Sequence, residues 1–169
     1  MALLVKEGFG QLEPNHLSAQ RNGQIYAQLP CDSSIEVLQN AQFVKYDYAK
    51  GKVSFTGAGE WMLVFNEVKL YDPRHSYKDF ALQKKNCVGG VMVPRVMKTM
   101  VGDIFTTNLV DPKGKSDSTL AAGDKLVVGT STGILEYSDS PTPGAMVWQV
   151  AKVYTMADGQ PAVKIQRIA

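Results

Sequence analysis

The sequence predicts a mainly β protein: an antiparallel β-barrel or sandwich with short helical turns and an extended N-terminal arm. Three observations carry this. Among 169 residues, 33 are β-branched, and valine outnumbers leucine by 18 to 13; such side chains are stiff at χ1 and favour strands over helices. The apolar stretches are short, and nearly all are bounded by Gly, Pro, Asn, Asp or Ser, as in a barrel or sandwich rather than in βαβ units. Helical signals are few and brief.

Residues 1–22 hold Leu3, Leu4, Phe9, Leu12 and Leu17 among Gly8, Gly10 and Pro14 with no sustained period. They read as an arm whose apolar residues need another surface, docked on a partner in preference to packing on its own domain. The β domain then covers residues 23–169, divisible into smaller units at 23–87 and 88–169. Strands are expected at 24–29 and 52–56, with Gly57-Ala58-Gly59 as a hairpin turn into the next. That next segment, 61–71, is the strongest: Met62, Val64, Val68 and Leu70 share a face, Trp61, Leu63 and Phe65 fill the other, and Asp72-Pro73 stops it. Between them, residues 33–40 read as two turns of helix. Ser76-x-x-Asp79 resembles a capping box.

Residues 88–101 follow as a strand interrupted by Pro94, the pattern of a sheet edge or bulge, and edges invite association. Further strands are expected at 104–110, 125–129, 134–137, 146–155 and 162–168. The last two flank Ala157-Asp158-Gly159-Gln160, and Asp-Gly tolerates the positive φ of a tight hairpin. Residues 111–119 and 138–144 are polar and breaker-rich, hence exposed loops.

The residues do not announce an enzyme, and no catalytic, cofactor-binding or metal site is expected. Asp72, His75 and Ser76 have the residue types of a hydrolase triad, but close spacing supplies neither an orienting geometry nor an oxyanion site, and Gly-x-Ser-x-Gly is absent. A polar turn is the preferred reading. Gly57-Ala58-Gly59 lacks the third glycine and following helix of a dinucleotide loop. Asp111, Asp117, Asp124 and Asp139 lack EF-hand spacing. Cys31 and Cys87 read as ordinary thiols, buried or half-buried.

No apolar run approaches the ~20 residues of a membrane span, and Lys6-Glu7 interrupts the apolar N-terminus too early for a signal peptide. The expectation is a soluble protein made in the cytoplasm, with no membrane partner. Net charge is only +2. Between residues 74 and 98, however, Arg74, Lys78, Lys84, Lys85, Arg95 and Lys98 face the single carboxylate of Asp79, a local net of +5. Beside Tyr77 and Phe80 such a patch suits an acidic protein surface or nucleic acid, or is simply a solvated face.

In the C-terminal half, Gly102-Asp103-Ile104-Phe105-Thr106-Thr107-Asn108, then Leu120-Ala121-Ala122-Gly123-Asp124-Lys125-Leu126-Val127-Val128, then Val150-Ala151-Lys152-Val153-Tyr154 with Asp158-Gly159 and Val163-Lys164-Ile165 follow in order. This arrangement resembles the small β-barrel domains of head decoration and other structural proteins of tailed bacteriophages. The resemblance spans roughly 65 residues of Gly-Asp turns and strand alternation, and carries no individual functional residue across. It implies a decoration or cement protein that clamps neighbouring subunits of the major capsid protein.

The reading is therefore a structural virion protein, a homo-oligomer on the capsid shell, bound to the major capsid protein or another virion component. Leu3, Leu4, Phe9 and Leu12 would anchor it, and Arg74, Lys78, Lys84, Lys85 and Arg95 would match an acidic shell. The alternatives are a head–tail connector or tail component and, from other classes, a β-barrel nucleic-acid binder using Tyr77 and Phe80 or a small hydrolase. Nucleic acid is not the expected partner.

Overall fold

The computed structural model describes residues 3–21, 28–68, 70–113, 115 and 120–169. Along the chain run β1 (Leu12–His16), a helical turn α1 (Ser18–Arg21), β2 (Val37–Leu38), β3 (Phe43–Asp47), β4 (Lys52–Ser54) and β5 (Trp61–Val64). Then come β6 (Leu82–Gln83), β7 (Val96–Met97), β8 (Ile104–Thr107), β9 (Val110–Asp111), β10 (Lys125–Val128), β11 (Leu135–Tyr137), β12 (Val147–Thr155) and β13 (Pro161–Arg167). Single 3-10 turns lie at Tyr77–Asp79, Lys84–Asn86 and Val88–Gly90. The protein is mainly β, as the sequence predicts.

Seven strands form the larger sheet in the order β1-β8-β13-β12-β10-β11-β9, four form a second in the order β4-β3-β5-β7, and β2 pairs with β6. All pairs are antiparallel except β9 with β11. The β12–β13 hairpin forms where Asp158-Gly159 predicts it, with Gly159 at φ 84°. Val163 and Ile165 are buried on one face of β13 while Gln166 is exposed on the other, the alternation of a half-buried strand.

The four-stranded sheet lies between two apolar clusters. From β3 and β5, Phe43 and Leu63 join Phe105, Leu126, Trp148, Val150 and Ile165 of the large sheet. Their sequence neighbours Val44, Met62 and Val64 turn the other way, to Cys31, Ile35, Leu38, Val53, Met92 and Val96. Burial on both faces explains the unbroken apolar run Trp61–Val64. Trp148 centres the first cluster, edge-on to Phe105 at 4.9 Å between ring centroids and tilted against Phe43 at 5.8 Å, geometries aromatic pairs favour.

Several expectations are corrected. The helix at 33–40 does not form, because Asp32 Oδ1 accepts hydrogen bonds from the Ser34 N–H and hydroxyl, diverting the backbone into a turn; Val37–Leu38 then becomes β2. The strand from Trp61 ends at Val64, where the Asn66 N–H leaves the ladder for Asn40 Oδ1. Residues 88–101 supply only the two-residue β7, which is a sheet edge as Pro94 suggests. Gly57-Ala58-Gly59 is no hairpin turn: β4 and β5 lie on opposite sides of β3. A side chain at Gly57 would stand 2.6 Å from the Tyr46 carbonyl oxygen, so glycine there serves a close backbone crossing. The strand expected at 24–29 falls mostly outside the described residues, as does most of the 111–119 loop.

The largest correction concerns the arm. From Leu3 to Leu17 it packs on the body, with β1 laid along β8. The Leu4 N–H donates to the Val110 carbonyl at 3.0 Å, and the Leu4 side chain is 1% exposed. Three amide side chains hold the arm's backbone. Gln160 Oε1 accepts from the N–H groups of Lys6 and Glu7, Gln39 Oε1 from Gly10, and Asn108 Oδ1 from Gln11. Nor does the chain separate at 87/88, since β7 pairs with β5 and the first cluster takes side chains from both sides of that boundary.

Candidate functional site

Leu3, Leu4, Phe9 and Leu12 do not form an exposed anchor. Leu4 is buried, Leu3 and Leu12 are half-buried against the first cluster, and the half-buried Phe9 gives its N–H to the Lys78 carbonyl at 2.7 Å. Leu4 is wholly covered by this chain and the other three are covered in part.

The basic stretch is also largely answered from within. Arg74 pairs with Asp72 at 2.6 Å, Lys78 with Glu7 at 2.6 Å, Lys84 with Glu36 at 2.8 Å and Lys98 with Glu60 at 2.7 Å. Three of these carboxylates come from distant sequence, so the local +5 overstates the positive field at the surface. Lys85 is exposed, whereas Arg95 is half-buried and buries its Nε. Exposed pairs like these add little stability, but they cancel the concentrated charge that phosphate binding requires.

The triad residue types are not brought together for catalysis. Hydrogen bonds from Arg74 hold Asp72 below the ordinary carboxylate range, and Asp79 Oδ2 accepts from the Ser76 N–H and lies 3.7 Å from His75 Nδ1. This is the polar turn that the spacing allows. Among the described residues no three His, Cys, Asp or Glu side chains gather as a metal site would need, and no helix is long and apolar enough to cross a membrane. Both cysteines are free thiols, Cys31 buried and Cys87 half-buried. Burial, reinforced by the adjacent Asp32 charge, pushes the Cys31 thiol up to about 11, which makes it inert as a nucleophile.

The segment 88–101, read from the sequence as an edge that invites association, does present exposed apolar side chains, though the sequence does not say which. Val88 is 99% exposed at the tip of a loop, and Val91, Val93, Met100 and Val101 are exposed along the following segment. From Val91 to Val96 the side chains alternate: Val91 and Val93 face out while Met92, Pro94 and Val96 are buried. The period-2 signal is visible in the sequence, but the face turned to solvent is not. The surface is also held firmly. Successive bonds Cys87 N–H to Lys84 O, Gly90 N–H to Cys87 O and Val91 N–H to Val88 O brace the loop. Asp103, 1% exposed, accepts the Met100 N–H, and Arg167 donates to Thr99.

On another part of the molecule, a groove of about 570 Å³ runs beside β1, lined by Gly10–Pro14, Phe65–Val68, Ser76, Tyr77 and the tip of the β12–β13 hairpin. Its charged side chains among the described residues are Glu13, Glu67 and Asp158. Burial alone would raise the Asp158 carboxyl, but hydrogen bonds from Gln11 and Gln160 outweigh it and hold the group below its ordinary value.

Compared with protein-family models, with curated proteins and with solved structures, the chain matches none.

Proposed function

We propose that this protein is an auxiliary structural subunit of a tailed-bacteriophage virion, a decoration protein that binds the lattice of the major capsid protein and stabilises the shell. The observation that carries the reading is the exposed apolar surface of Val88, Val91, Val93, Met100 and Val101. Exposed apolar side chains so frequent within one short stretch of chain favour a contact with another protein. Because the loop and turn that present them are already braced by hydrogen bonds, little ordering entropy is lost on docking. The resemblance of residues 102–165 to phage decoration domains points to the same class of partner.

This reading places the contact on residues 88–101 and not on the arm. The mechanism is mass action: a protein that binds the assembled shell and not its separated subunits stabilises the shell by the free energy of those contacts. The nucleic-acid reading is disfavoured by the ion pairs that answer Arg74, Lys78, Lys84 and Lys98.

The test is co-sedimentation of the purified protein with tailed-phage heads stripped of their decoration proteins. Saturable binding and a higher shell disruption temperature are expected, and the double variant Val91→Asp, Val93→Asp should lose at least tenfold in affinity while keeping its own melting temperature. Failure to bind heads, or equal binding by the double variant, overturns the proposal.

A further inference from the structure

The groove beside β1 has the features of a strand-binding site, and it shares none of the exposed apolar residues that carry the shell proposal. β1 ends the seven-stranded sheet, with β8 its sole partner in it. Successive backbone amides of an extended chain point to opposite sides. The Gln11 N–H turns toward the β8 side, to Asn108 Oδ1, while the Gly10 N–H turns the other way, to Gln39 Oε1. By alternation the N–H and C=O of Leu12 face the groove, as does Pro14, which has no N–H to lose. Proline at that position is what an edge strand accommodates, and it leaves the Leu12 donor and the carbonyls of Leu12 and Pro14 directed outward. Gly10–Pro14 spans about 16 Å when extended, enough to pair with four or five residues.

The walls define the side chains such a strand would carry. Leu12, Phe65, Val68, Tyr77 and Met156 offer apolar contact, and Glu13, Glu67 and Asp158 supply the charge, all of it negative among the described residues. Asn66 forms part of the wall, is 7% exposed, and has no hydrogen-bond partner for Nδ2 among the described residues. We propose that this groove binds an extended segment of a partner protein with alternating apolar and basic residues, which adds a strand to the free edge of β1. Backbone pairing supplies part of the affinity in this mode and alternate side chains supply the specificity. The carboxylates select lysine or arginine over acidic residues, and speed association. A polyanion such as nucleic acid is repelled from the same groove.

The test uses full-length protein and three fluorescently labelled, end-capped peptides, read by fluorescence polarisation. The first is Thr-Val-Lys-Val-Lys-Val-Thr, the second replaces both lysines by glutamate, and the third is the lysine peptide with its central valine N-methylated. The lysine peptide is expected to bind at least tenfold tighter than the other two, with affinity falling as salt rises. Glu67→Lys should weaken it at least fivefold, and Val68→Asp should do the same from the apolar wall, each in a protein that still melts cooperatively. Absence of binding overturns the proposal, as does binding of the glutamate peptide within threefold of the lysine peptide. N-methylation without effect refutes strand addition, and indifference to both protein variants refutes this groove. No shell component enters the assay, so its outcome is independent of the shell proposal.

Discussion

Leu4→Ala should destabilise the isolated protein by about 2–5 kcal/mol, a loss no exposed partner-binding arm would show. The structure sets the magnitude. Leu4 is 1% exposed inside the first cluster, and truncation to alanine removes three carbons at about 0.8 kcal/mol each, or about 2.4 kcal/mol of transfer free energy. A cavity that the surroundings fail to fill raises the loss toward about 5 kcal/mol. The backbone bond from Leu4 N–H to Val110 O survives the substitution, so the change reads packing alone. Urea unfolding followed through the buried Trp148 gives the free energy directly. Its slope should be unchanged, because nearly the same surface is exposed on unfolding. In a thermal melt the shift should be about 4–20 °C, at roughly 2–4 °C per kcal/mol for a chain of this size. Leu3→Ala, at a half-buried position, should cost less than half as much. If Leu4→Ala stays within about 0.5 kcal/mol of the parent, the range of ordinary surface changes, then the arm is not part of the core and the packing argument fails.

Gln160→Ala should free the Lys6 and Glu7 N–H groups from their shared acceptor at a cost of about 1–3 kcal/mol; hydrogen exchange at those two amides should rise at least tenfold, and unchanged protection would refute the clasp. Gly133→Ala should cost more than about 3 kcal/mol, since the residue has φ +66° and an added Cβ would stand 2.0 Å from the Phe43 carbonyl oxygen and 2.8 Å from the Phe55 ring; an unaltered melting temperature would contradict the close approach. With its thiol pushed up to about 11, Cys31 at pH 8.5 is about 0.3% thiolate against about half for an ordinary thiol. Alkylation of the native protein, read by mass, should therefore stop at one adduct on Cys87 until denaturant is added, and equal rates at both cysteines would overturn the burial of Cys31.

The β12–β13 hairpin was legible because everything that specifies it is local: a dipeptide that tolerates positive φ, and alternation on both sides. The same holds for Pro94 as an edge signal. β3 was not legible, because Phe43 and Val44 are buried on opposite faces, and burial on both sides erases the alternation by which a strand is read. β1 was hidden by Gly10 and Pro14, which look like loop residues until β8 is there to receive them. The candidate sites failed for a related reason. The cations of residues 74–98 could be counted, but their partners Glu7, Glu36 and Glu60 lie in other segments. The groove is built from five separate stretches, Asn40 among them, that no spacing rule connects.

Sequence by itself determined the class, through β-branched composition, short apolar runs and turn residues, each an effect acting within a few residues of the chain. It also determined which residues are apolar and which are charged. Tertiary structure alone decided which of those apolar residues are covered: Leu4 and Leu12 pack against this chain, while Val88, Val91 and Val93 face solvent. It likewise decided where charges meet, pairing Arg74, Lys78, Lys84 and Lys98 with carboxylates and bringing Glu13, Glu67 and Asp158 to one groove. The physical reason is that strand pairing, burial and ion pairing join residues distant in sequence. Their free energy depends on separation in space, which the order of residues does not display.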